Sequence, residues 1–145
     1  EAKLGVTLST NTTPPVEGEE NLYDLAMAEL GKESYREARA LFQQYVTRFP
    51  EGETSGDAQF YVGETYRKEG DFEAAIQAFK QVYESHRESS RMPEALLGIG
   101  DCLSELGECD KAKKVYGLIA RDAKDSPQVP VAKERLKELK TTCKK

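Results

Sequence analysis

From Asn21 onward apolar residues recur at helical spacing, and Gly or Pro stands mainly where a helix should end. The arrangement then repeats. KESYREARALFQQYVTRFP, EGDFEAAIQAFKQVYESHR and LGECDKAKKVYGLIARDAK superimpose in steps of 37 residues, aligning Tyr35, Phe72 and Cys109, then Ala38, Ala75 and Ala112, then Phe42, Phe79 and Tyr116. The segments ahead of them keep the step: Leu25, Val62 and Ile99 align, each followed by a small residue, Ala26, Gly63 or Gly100.

These columns predict pairs of antiparallel helices. A small residue after a large apolar one suits a helix that another crosses closely. In the second helix an Ala four residues before an aromatic puts both on one face. Gly70 and Gly107 fall between the two helical patterns, where a tight turn needs a permissive backbone. A single hairpin of this size cannot bury its own apolar face, so the units must stack. The expected fold is all-α, with three hairpins over about 19–53, 56–90 and 93–126 and a capping helix over 127–142, all within a domain spanning 19–145. In that cap Ala132 aligns with Ala58 and Ala95, and Leu136 with Val62 and Ile99, but Lys137 replaces the small residue and no second helix follows. A charged outer face is what the end of a solenoid requires. Residues 1–18, with Thr, Ser and the pair Pro14–Pro15, are expected to be a flexible linker.

Charge changes the picture more than length does. The chain of 145 residues carries 21 basic and 26 acidic side chains, a net charge of −5 that argues against a nucleic-acid binder. The sum hides an asymmetry: residues 1–110 hold 10 basic and 22 acidic groups, whereas 111–145 hold 11 and 4. No apolar run approaches the 18 or so residues of a membrane-spanning helix, and no membrane insertion is expected. The chain begins at Glu1, not Met, without the apolar core of a signal peptide, and reads as a processed or excised piece.

Candidate chemistry is sparse. There is one histidine, no HExxH or GxSxG, and no glycine loop to cradle phosphate. His86 has no evident orienting partner and reads as solvated, and Glu19–Glu20 reads as surface charge. Three cysteines without a CxxC pair, and a single histidine, do not make a metal site. The chain is expected to be non-enzymatic, with no catalytic residues, cofactor or metal.

The sequence resembles the tetratricopeptide-repeat family across residues 21–142, most clearly in YVGETYRKEGDFEAAIQAF, where Gly63, Tyr66, Gly70, Ala75 and Phe79 stand in the signature places. Glu29 and Cys109 depart from aromatic positions of that signature. A right-handed superhelix follows from the resemblance. The wording NLYDLAMAELGKESYREARALFQQYVTRFPEGETSGDAQFYVGETY, behind a Pro-rich linker, is similar to the C-terminal domain of the YbgF/CpoB family, associated with the Tol–Pal system. That resemblance implies a periplasmic adaptor in cell-envelope division, partners such as TolA or peptidoglycan synthases, and oligomerisation through an N-terminal coiled coil absent from this sequence. Two other readings stay open: a structural subunit of an outer-membrane assembly, as in BamD-like repeat lipoproteins, or a general scaffold.

In the family the first helices line a concave groove. The positions expected to face it are Tyr23, Met27, Asp57, Phe60, Glu64, Arg67, Lys68, Glu94, Leu97, Asp101, Ser104 and Glu105, with Tyr23, Met27, Phe60 and Leu97 forming an apolar strip flanked by acids. A segment with apolar anchors and some Lys or Arg would fit. The clamp that some family members use for acidic chaperone tails is absent, since Tyr23, Met27, Tyr61, Glu94 and Gly98 hold its places. Stacking brings Cys143, just past the cap, within reach of Cys109. In an oxidising compartment a Cys109–Cys143 bridge would contribute roughly 3–4 kcal/mol; the alternative is three reduced thiols, with Cys102 a core residue. The basic end likewise has two readings: charges that solubilise the cap, or a patch of Lys111, Lys113, Lys114, Arg135 and Lys140 facing an acidic partner or anionic polymer.

Overall fold

The computed structural model describes residues 15–143. Among them seven helices follow one another: α1 (Pro15–Gly31), α2 (Tyr35–Arg48), α3 (Ser55–Lys68), α4 (Phe72–Ser85), α5 (Met92–Glu105), α6 (Cys109–Asp122) and α7 (Gln128–Thr142). Helices α2 to α6 are each 14 residues long. With three-residue turns inside the hairpins and six-residue loops between α2 and α3 and between α4 and α5, they fill the 37-residue period.

The turns show how strictly the period is kept. Gly70 (φ 81°) and Gly107 (φ 79°) adopt the left-handed conformation, and Glu33 (φ 62°) adopts it at the same place in the first hairpin. The amides of Ser34, Asp71 and Glu108 then reach back to the carbonyls of Glu29, Tyr66 and Leu103 at 2.9, 3.0 and 2.8 Å, the six-to-one bond that closes a helix C-terminus. The loops between hairpins repeat as well: the amides of Gly52, Ser89 and Ser126 donate to Phe49, His86 and Ala123, each at 2.9 Å.

The small-residue column is a matter of space. A Cβ on Gly63 would lie 2.5 Å from the ring of Phe79, and one on Gly100 would overlap the ring of Tyr116. Gly98 presses on the same Phe79 ring, at 2.7 Å from such a Cβ, so α3 and α5 both close onto that side chain. Ala38, Ala75 and Ala112 are fully buried, as are Phe42 and Phe79, with Tyr116 nearly so. The buried core falls into two clusters, one from Leu22, Ala26 and Tyr45 to Val62 and Ala78 and one from Phe60 and Phe79 to Ile119, Ala132 and Leu139, with the partly buried Tyr61 and Tyr66 packed against both.

Two expectations need correction. Helix α1 starts at Pro15, inside the stretch read as linker to residue 18. A proline does not break a helix at its first position, where its missing N–H would be unpaired anyway. The rest of that stretch, residues 1–14, lies outside the described residues. Leu25 does not share the burial of its column: it is 53% exposed, against 2% for Val62 and 5% for Ile99. Val62 and Ile99 are covered by the hairpin before theirs, and no described residue precedes α1.

Candidate partner-binding groove

Helices α3, α5 and α7 pack against one another in succession, while the second helices α2, α4 and α6 make no comparable contact. The first helices therefore line the inner, tighter side of the curve.

Along that side the aromatic and aliphatic side chains are only half-covered. Tyr23 stacks edge-on against Phe42 and Tyr45, with ring centroids 5.8 and 5.6 Å apart. Burial, with Asp57 nearby, pushes its phenol up to about 12. Met27 and Leu97 are half-buried. Phe60 is not part of an exposed strip: at 5% exposure it belongs to the core, tilted against Phe79 at 5.5 Å. Its place is taken by Tyr61, half-buried, stacked on Phe42 at 5.4 Å and edge-on to Phe60 at 5.4 Å. One residue is a rotation of about 100° on a helix. The apolar strip is thus Tyr23, Met27, Tyr61 and Leu97.

The charged groups expected to face a partner are largely occupied with one another. Arg91, at the entrance of α5, reaches Asp57 at 3.6 Å and Glu94 at 2.9 Å, donates to the hydroxyl of Tyr61 at 2.9 Å, and covers the rings of Phe60 and Tyr61. Arg67 is paired with Glu64 at 2.7 Å, which raises its pKa further. Asp101 accepts from Tyr116 at 2.5 Å and from Arg135 of α7 at 3.0 Å. Burial first, then this bond, raises the Tyr116 phenol well above its ordinary range. Arg135 therefore faces into the groove rather than outward with the basic end, and Lys111 is paired with Glu108 at 2.7 Å. Of the patch expected at that end, Lys113, Lys114 and Lys140 stay exposed without an ion pair among the described residues.

Two depressions open on this face. One of about 290 Å³ is lined by Leu30, Tyr35 and Tyr61, with Glu33, Glu64 and Lys68 at its rim. The other, about 490 Å³, lies between α3, α5 and α7 and includes Arg67, Asp101, Ser104, Glu105, Arg135 and Glu138. Cys102 also lines it but is fully buried, and desolvation pushes its thiol up to about 12. Cys109 and Cys143 are joined by a disulfide, with Cα atoms 6.1 Å apart, which ties the end of α7 to the start of α6. Arg91 escaped the sequence reading because it lies outside every repeating column. No group of three or more His, Cys, Asp or Glu that could hold a metal occurs among the described residues, and none of their helices is long and apolar enough to cross a membrane.

Two tetratricopeptide-repeat family profiles match the chain, one over residues 66–136 and one over 23–88. No curated protein matches it in sequence. In fold it is similar to the crystal structure of PcrH in complex with the chaperone-binding region of PopB, with a TM-score of 0.66 and 17% identity over 84% of this chain and 94% of that one. At that identity the likeness is one of architecture. The matched profiles, the turn geometry repeated in each hairpin and the stacked hairpins agree: the chain is a solenoid of tetratricopeptide repeats.

Proposed function

We propose that this chain is a non-catalytic adaptor that captures a segment of a partner protein in its concave groove, and that it does so by apolar contact more than by charge. The observation that carries this reading is the half-covered strip of Tyr23, Met27, Tyr61 and Leu97 beside a depression of about 290 Å³. Because the groove arginines already have carboxylate partners, a ligand gains little by offering them new ones. An aliphatic or aromatic anchor seated against Leu30, Tyr35 and Tyr61 gains the full benefit of leaving water. The fold of PcrH, solved with the chaperone-binding region of PopB, supports a protein segment as the class of ligand.

The YbgF/CpoB resemblance supplies the finer reading: a periplasmic adaptor working beside the Tol–Pal machinery, with TolA-like or peptidoglycan-synthase-like partners. Affinity capture from a periplasmic extract tests both levels. Wild-type chain should retain a partner, and Met27→Glu with Leu97→Glu should lose it by about tenfold or more in affinity while helical content is unchanged. Retention by the double variant would overturn the groove assignment. A captured partner from outside the Tol–Pal system would overturn the finer reading alone.

A further inference from the structure

The two ends of the solenoid differ in a way the groove does not use. In α3, α5 and α7 the residues that meet the preceding hairpin are buried: Ala58, Val62 and Thr65 in α3, Ala95, Ile99 and Cys102 in α5, Ala132 and Leu139 in α7. The same columns in α1 hold Asn21, Leu25 and Ala28, all exposed, with the carboxylates of Glu20 and Asp24 alongside, unpaired among the described residues. At the other end α7 occupies a first-helix place, and no second helix follows it among the described residues. Lys133, Lys137 and Lys140 stand where α3 carries Gln59, Gly63 and Tyr66 and α5 carries Leu96, Gly100 and Leu103. Those residues meet their own hairpin's second helix, as when Gln59 donates to the carbonyl of Ala78 at 3.0 Å and Gly63 abuts Phe79. The three lysines fall at i, i+4 and i+7, so they form one stripe. All three are exposed and without ion pairs among the described residues.

From this complementarity we propose that two copies of the chain associate head to tail, α1 of one lying across the lysine stripe of α7 in the other. Glu20 and Asp24, one turn apart, face the ammonium groups, and Leu25 rests on the aliphatic stems of the lysines, which carry methylene surface up to their charged tips. The contact is heterologous, so it leaves a free end of each kind and builds short open chains rather than a closed dimer. It is held mainly by exposed charge, so it is weak and sensitive to salt. The occupant is a second copy because the acidic, partly apolar helix that the stripe fits is present at the opposite end of the same molecule.

Sedimentation velocity on four samples tests this. Wild type should self-associate with rising concentration at low salt, its association constant falling about tenfold or more in high salt. Asp24→Lys alone and Lys137→Glu alone, both at exposed positions that leave the fold intact, should each be monomeric. Their equimolar mixture should recover association, since every contact in an alternating chain again pairs opposite charges. A wild type that stays monomeric at low salt would overturn the proposal and leave the stripe to an acidic helix of another protein. Self-association that survives in both reversed variants, or a mixture that stays monomeric, would overturn it equally.

Discussion

At residue 33 the chain holds a glutamate in a conformation that the other two hairpins assign to Gly70 and Gly107. A side chain in the left-handed region carries strain of order 1 kcal/mol or more, partly offset by the freedom glycine loses on folding. Glu33→Gly is therefore expected to stabilise the fold by roughly 0.5–1 kcal/mol in urea unfolding, and Gly70→Ala to destabilise it. Gly63→Ala tests the other role of glycine. The added methyl meets Phe79, and overpacking of this kind should remove roughly 1–3 kcal/mol. Cys102 gives a pH signature: its thiol is held at about 12 against an ordinary 9.0. As pH rises past 9 the unfolded chain loses this proton while the folded chain keeps it. Stability from this source is complete below that pH and is lost as pH rises toward 12. Unfolding free energies between pH 9 and 10, below the ordinary 10.0 of the raised tyrosines, should show the decline, and Cys102→Ala should reduce it there.

The helices themselves were legible in the sequence because each repeat states the same pattern. Columns such as Ala38–Ala75–Ala112 and Phe42–Phe79–Tyr116 need no tertiary information to be read, and all six residues lie in the core. What the pattern could not assign was direction to within one residue's rotation of the helix: Phe60 and Tyr61 are adjacent aromatics, and only packing against Phe79 and Phe42 decides which one turns inward. Nor could it see contacts between non-equivalent positions. Arg91 reaching Asp57, and Arg135 reaching Asp101, join places that no column relates. The last helix shows the consequence. It buries only Ala132 and Leu139 fully, packs Val129 and Leu136 partly against the core, and is further anchored by Arg135 and the Cys109–Cys143 bridge. Closing a loop with a sequence separation of 34 restrains the unfolded chain by about 3–4 kcal/mol. Cys143→Ser should lower stability by up to that amount, with amide exchange in α7 rising before that of α3 and α4. A thiol titration of unreduced, denatured chain should count one thiol, that of Cys102.

Across the whole molecule the net charge of −5 proves a poor guide, because it averages surfaces with separate roles. The charges of the concave face are largely paired with one another, whereas the two ends carry charge of opposite sign that is unpaired among the described residues. Partner capture in the groove and association of the ends should therefore respond differently to ionic strength, the first little and the second strongly. The groove claim is the central one, and position-resolved photocrosslinking addresses it most directly. A photoreactive residue at Leu97 on the concave face should crosslink a partner in extract, while one at exposed Gln77 on α4, on the outer face, should not. Crosslinks from position 77 alone, or equally from both, would contradict the account.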